Sequence, residues 1–270
     1  MNFTEEDVSF FQRQKYNSLF LMPTTHIHEH NELYFLVSGQ TEYFVGTSIY
    51  RINDGDFILI PKGVFHRTDN SRFPNLERIL INFDDEFLGE EYAPYLAEMT
   101  ANPHIRLPEN EIPRFLRLLQ KIEQETNSDQ KGCNELTQLY FKELIVMLSR
   151  HRRTDDFSEL TSAQQIVQDA ARYINLNYRK PLNLEVLAQK YSVSEGYFSK
   201  IFKNYTGIRV REYINLSRVL AAKDLFETTD LQVTEVAFEC GFNDSNYFSE
   251  VFKKITGVSP KKYSLNNKSI

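Results

Sequence analysis

Two spaced sets of residues in the N-terminal half could do chemistry. One is His26-x-His28-x3-Glu32-x6-Gly39; the other is Gly55-x5-Pro61-x-Gly63-x2-His66-x3-Asn70. His26 and His28 alternate, so an extended segment projects both imidazoles from one face. Glu32 returns towards them after a turn, and His66 arrives from a second hairpin. Three imidazoles and one carboxylate converging inside a barrel suit Zn²⁺, Ni²⁺, Mn²⁺ or Fe²⁺. The same side chains also suit polar walls that hydrogen-bond a small ligand or buried partners. His30 and His104 read as surface residues, and His151 as part of a polar connector.

The elements that must hold these residues are short strands. Glu32–Val37, Thr41–Val45, Phe57–Ile60 and Arg78–Phe83 are β-branched and aromatic runs bounded by turn signals, the pattern of a sandwich or small barrel. Period 2 places Tyr34 and Leu36 on the face of Glu32. With no tryptophan in the chain, any stacking on a sugar falls to Tyr34, Tyr43 or Phe57. Arg51 and Arg78 could clamp a carboxylate, but the reading places them at the surface. The period then changes. Leu116, Leu119 and Ile122 fit one helix, and Leu136, Leu139, Tyr140, Leu144, Met147 and Leu148 fit a second. The expected division is a barrel over 1–105, a helical segment over 106–150, a linker over 151–160 and a helical domain over 161–270.

Charge separates the same halves. Residues 1–159 carry 16 Lys+Arg against 26 Asp+Glu, a balance of −10; residues 160–270 carry 15 against 11, a balance of +4. The basic half is the one that could meet phosphate. Two distant cysteines with no CxxC fit a reduced, cytoplasmic protein and exclude a disulfide framework. No apolar run is long enough to span a bilayer, so no membrane role is expected.

The basic half contains a repeat. Tyr197-Phe198-Ser199-Lys200-Ile201-Phe202-Lys203 returns fifty residues later as Tyr247-Phe248-Ser249-Glu250-Val251-Phe252-Lys253, and Thr206-Gly207 returns as Thr256-Gly257. Each copy reads as helix, short turn, helix. Ser194 caps the second helix of the first copy, and Asp244 or Ser245 that of the second. An inward stripe of Tyr197, Phe198, Ile201, Phe202 and Tyr205, with its counterpart from Tyr247 to Ile255, leaves an outward polar face. That face is Glu195, Gly196, Ser199, Lys200 and Lys203 in the first copy. In the second it is Ser245, Asn246, Ser249, Glu250 and Lys253. Short polar side chains on a helix that fits a major groove suit base edges, and terminal lysines suit phosphates. A merely solvated face is the plain alternative.

With the helix through Val210–Phe226 between them, the two copies resemble the DNA-binding domain of the AraC/XylS family of bacterial transcription regulators. The run from Val236 through Gly241, Asn246, Phe252 and Pro260 to Tyr263 carries that likeness, and Ser192 departs from it where the second copy has Gly241. The two histidine strings resemble both cupin motifs without a gap. The resemblance implies an α+β two-domain protein: a cupin-like β-barrel, dimerisation helices, and an all-α domain with two helix-turn-helix units. It implies a DNA-binding regulator, an activator, controlled by a small effector such as a sugar held by His26, His28, Glu32, Tyr34 and His66. It implies double-stranded DNA as a partner, RNA polymerase if the protein activates, and a homodimer. It also implies no catalysis and no cofactor, a divalent metal on His26, His28, Glu32 and His66 being the exception. The alternative is a metal-dependent cupin enzyme with an appended DNA-binding module.

Overall fold

In the computed structural model the described residues are 10–16, 26–69, 75–151 and 160–267; Asn70 and most of the expected linker, 152–159, lie outside them. The chain forms two compact units, one running to Glu159 and one from Leu160.

The first unit holds eight described strands: β1 (Phe11–Tyr16), β2 (Asn31–Ser38), β3 (Gln40–Val45), β4 (Ser48–Asn53), β5 (Asp56–Ile60), β6 (His66–Asp69), β7 (Leu76–Phe83) and β8 (His104–Arg106). They form a sheet in the order β1-β7-β2-β5-β8 and a second in the order β4-β3-β6. All the pairings are antiparallel. The larger sheet is covered on both faces, which is why β2 and β5 are buried at nearly every position. Leu33, Phe35, Phe57, Leu59, Ile79 and Ile81 pack on one side with helical residues. Tyr34, Leu36, Ile58, Ile60 and Leu80 pack on the other with Tyr43 and Val45 of β3. Gly39 makes the β2–β3 turn at φ +102°, where a Cβ would lie 2.4 Å from the Asn75 carbonyl oxygen.

The helical cover begins earlier than the sequence suggests. α1 (Asp85–Leu88), a 3-10 turn (Glu90–Tyr92) and α2 (Ala93–Ala101) fall inside the stretch read as strand, before α3 (Ile112–Thr126) and α4 (Cys133–Ser149). Phe115, Leu119, Ile122, Phe141, Leu144, Ile145 and Leu148 seal the outer face of the large sheet. The apolar stripe of α4 is thus spent on its own unit: Met147 is buried there, while Leu139 is 60% exposed.

The second unit is all helix: α5 (Ser162–Asn177), α6 (Leu184–Lys190), α7 (Glu195–Thr206), α8 (Val210–Thr228), α9 (Val233–Glu239), α10 (Ser245–Thr256) and α11 (Pro260–Asn267). Thr161 and Gln164 close a capping box at the start of α5. α8 packs against both halves of the repeat. Tyr213 meets Phe202 of α7 with ring centroids 5.3 Å apart, and Phe226 meets Phe252 of α10 at 5.7 Å. No described helix is long and apolar enough to cross a membrane.

Candidate effector site and nucleic-acid interface

Backbone pairing assembles the histidine cluster. His26 and His66 form an antiparallel bridge, with amide-to-carbonyl distances of 3.3 and 3.2 Å. His66 opens β6 opposite Val45, and Glu32 lies on β2 opposite Ile60 and Asn82. One ligand atom from each of His26, His28, Glu32 and His66 lies within 4.8 Å of all the others. These are the four side chains that the two histidine strings named.

Two of the three imidazoles, His28 and His66, have their tautomers fixed from behind. His28 Nδ1 lies 2.7 Å from the His30 carbonyl oxygen, and His66 Nδ1 lies 3.0 Å from that of Val64. A carbonyl only accepts, so each Nδ1 carries the proton and donates it. In the neutral rings Nε2 is then a lone pair facing the cluster. His28 Nε2 stands 3.5 Å from Glu32 Oε2. His66 Nε2 is buried with no hydrogen-bond partner among the described residues. Burial drives the His66 imidazole down to about 3, well below its ordinary value. Burial alone would raise Glu32, but a hydrogen bond from His28, which its Nε2 gives only when the ring is doubly protonated, and the fields of His66, His28 and Arg78 hold it down at about 2. The centre therefore presents acceptors, and what fits among them is a set of hydroxyl donors or a cation. A divalent metal fits this donor set, with Nδ1–H bonds to carbonyls of the kind that orient metal-binding histidines.

Several neighbours lie elsewhere than the sequence suggested. His30 is half-buried and stacks on His28 at 3.9 Å, so it is not a free surface residue. His104 is buried, its Nε2 2.9 Å from Asp56 Oδ2. Phe57 packs with the helices rather than the cluster, which removes it as a stacking platform. Tyr34 is buried on the cluster's side of the sheet, and its hydroxyl has no described hydrogen-bond partner. Arg78, read as a surface residue, is buried, whereas Arg51 keeps partial exposure and lies 3.8 Å from Glu42. Alternation could have placed Arg78: it shares parity with Leu80 and Asn82 and opposes Ile79 and Ile81.

The two copies in the helical unit repeat one another to the hydrogen bond. Ser194 Oγ accepts from the Tyr197 amide at 3.3 Å, and Asp244 Oδ1 accepts from the Tyr247 amide at 2.6 Å. The turn amides of Val193 and Phe242 donate to the carbonyls of Ala188 and Ala237 at 3.1 and 3.0 Å. Gly207 and Gly257 end α7 and α10 in the left-handed conformation, each amide donating back to Lys203 or Lys253. Glu195, Gly196, Lys200 and Lys203 are exposed on α7, as are Asn246, Glu250 and Lys253 on α10. Ser199, Ser245 and Ser249 are partly covered, and Ser249 Oγ donates to the Ser245 carbonyl at 2.8 Å. The inward stripe is narrower than expected: Tyr197 is 44% exposed and Tyr247 36%. Arg211 and Asn215 of α8 donate to the Tyr247 hydroxyl.

A helix-turn-helix domain model matches residues 187–266, and a cupin domain model matches residues 21–72. The HTH-type transcriptional activator RhaR of Escherichia coli is 27% identical over 228 residues, spanning 82% of this chain and 79% of its own. In both domains the chain is homologous to RhaR, an AraC-family activator. It is a DNA-binding transcription regulator with a cupin-like N-terminal unit. Among solved structures, the chain is similar to ToxT from Vibrio cholerae, which is 17% identical over 97% of this chain and 99% of that one, with a TM-score of 0.40. It is also similar to the C-terminal domain of AraT, a response regulator from Geobacillus stearothermophilus. That domain is 34% identical over 40% of this chain and 88% of its own, with a TM-score of 0.38.

Proposed function

We propose that this protein is a transcription activator whose affinity for its operator is set by a small molecule held among His26, His28, Glu32, Tyr34 and His66. The observation that carries this reading is the convergence of His26, His28, Glu32 and His66, with the ring tautomers of His28 and His66 fixed. Such a centre suits a polyhydroxylated ligand such as a sugar, whose hydroxyls donate. α7 and α10 enter successive major grooves. Lys200 and Glu250 face base edges, together with Glu195, Gly196, Ser199, Ser245, Asn246 and Ser249, while Lys203 and Lys253 face phosphates. The protein works in the cytoplasm as a homodimer, pairing through the exposed Leu136 and Leu139 of α4, and acts on RNA polymerase. No reaction is assigned to the barrel.

A ligand changes DNA affinity only by binding two conformers unequally, and couplings of about 1–3 kcal/mol are typical. The test is an operator titration with wild type, His28→Ala and the fragment 160–270, with and without candidate sugars. The expected result is a response in wild type alone, with effector-free affinity of His28→Ala within about twofold. A full response in His28→Ala would move the effector site elsewhere.

The same acceptors favour a second reading, in which His26, His28, Glu32 and His66 hold a divalent metal that meets the effector. Metal content of the purified protein decides it: about one equivalent in wild type and none in His66→Gln supports it, and a metal-free wild type removes it.

A further inference from the structure

The barrel interior has a second polar pole, of opposite sign. Arg78 lies on β7 opposite Gln14 of β1 and Leu36 of β2, and only 8% of it is exposed. Its Nε and Nη2 donate to Gln14 Oε1 at 3.3 and 2.8 Å, and Nη2 also donates to the Tyr16 hydroxyl at 3.0 Å. The guanidinium lies 5.3 Å from the Tyr16 ring centroid and 5.8 Å from that of Tyr34. These hydrogen bonds and ring contacts are all to neutral groups. Among the described residues no carboxylate lies within 4.0 Å of Arg78, and its Nη1 takes no part in these bonds. Beside it, the Tyr34 hydroxyl is buried and bonded to nothing described. A buried cation with neutral partners and a buried idle hydroxyl are both costly unless something fills them.

We propose that the effector is an anion: a polyhydroxylated carboxylic acid, of the aldonic, uronic or hydroxy-acid class. This deepens the effector reading and rests on it. The carboxylate meets Arg78 Nη1 and the Tyr34 hydroxyl, which are donors, while the hydroxyls meet the histidines and Glu32, which are acceptors. Glu32 and Tyr34 lie two residues apart on one face of β2, about 6.6 Å along the strand. That span suits a chain of five or six carbons. Glu32 already places one negative charge in the field of Arg78, so the interior tolerates a monoanionic carboxylate, hydrogen-bonded directly by the guanidinium, better than a dianionic phosphate.

The test is ligand binding to the purified full-length chain by thermal shift and calorimetry. The panel pairs aldonic, uronic and short hydroxy acids with their neutral sugars or alditols, and includes glucose 6-phosphate. The expected result is an acid that raises the melting temperature and binds at least tenfold more tightly than its neutral partner. Tyr34→Phe removes a hydroxyl that bonds nothing described, so it should fold as wild type and bind that acid several-fold more weakly. Arg78→Gln should lose the acid preference. A neutral sugar that outbinds every acid and is lost in His28→Ala overturns the anionic class and leaves the effector reading standing. So does a preference for the phosphate. An acid whose affinity survives both Tyr34→Phe and Arg78→Gln overturns the assignment of Arg78. Binding of no panel member overturns both readings.

Discussion

Ser192 and Gly241 stand at equivalent turns and show what a single position tolerates. Both adopt the left-handed conformation, Ser192 at φ 55° and Gly241 at φ 84°. Left-handed backbone costs a non-glycine residue about 1–2 kcal/mol. The serine is tolerated because it is exposed. At Gly241 a Cβ would lie 2.8 Å from Arg179 Cα and 2.9 Å from the Tyr178 carbonyl oxygen, so backbone itself is the obstacle. Ser192→Gly should therefore stabilise the chain by roughly 0.5 kcal/mol, the relieved strain less the entropy of glycine. Gly241→Ser should cost about 2 kcal/mol or more. Urea unfolding of both variants checks the pair; equal effects would mean the two turns are not under different constraint. A second residue-scale expectation concerns acid. His66 takes up its proton near pH 6.5 when unfolded and only at about 3 when folded. Its contribution is complete above 6.5 and is lost as the pH falls from there towards 3, at up to roughly 1 kcal/mol per pH unit. Glu32 adds to the loss below about 4.5, down to about 2. The difference in melting temperature between wild type and His66→Gln should shrink steadily between pH 7 and 4. A constant difference would mean that His66 takes up its proton equally in both states.

At the scale of elements, α4 separates covering from pairing. Met147 is packed among Phe115, Leu144 and the sheet, whereas Leu139 faces outward. Met147→Glu buries a charge and should cost several kcal/mol, unfolding the unit at ordinary temperature. Leu139→Glu should leave stability within about 0.5 kcal/mol and, with α4 as the pairing helix, give a monomer by light scattering. An unchanged dimer would place the pairing surface on another element. The same contrast shows what could be read without coordinates. β2, β3, β5 and β7 announce themselves because their residues alternate or run apolar between glycines and prolines. α7 and α10 were equally legible, since a fifty-residue repeat marks both caps and both cores. α1 and α2 were missed because they are short and weakly patterned; α2 and α4 pack together only once the fold has formed. β6 was anticipated only at His66, as part of a second hairpin; its extent was not drawn because His66-Arg67-Thr68-Asp69 is polar, and its burial comes from the β3 pairing and the opposite sheet. Arg78 was misjudged because charge was weighed ahead of strand parity.

For the whole molecule, the basic unit carries the DNA expectation by itself. Its footprint should show two protected blocks about 10–10.5 bp apart. Lys203→Ala should weaken binding to all sequences alike and reduce the salt slope by about one. Lys200→Ala should relax preference in one block only, and a footprint of one short block would exclude two readers. α8 has one more consequence. A single helix of 19 residues carries the core of both copies, with Val210, Tyr213 and Ile214 near one end and Ala222 and Phe226 near the other. One residue inserted between those ends would turn one copy about 100° against the other and shift it about 1.5 Å. No gradual series of insertions connects one geometry to the next. With α7 and α10 as readers, the gap between their blocks is inherited as a fixed quantity. The bases within each block are free to drift, at about 1–3 kcal/mol per mismatch. Binding sites across related genomes should therefore diverge in letters while keeping one spacing, and a search built on the gap should recover sites that a consensus misses.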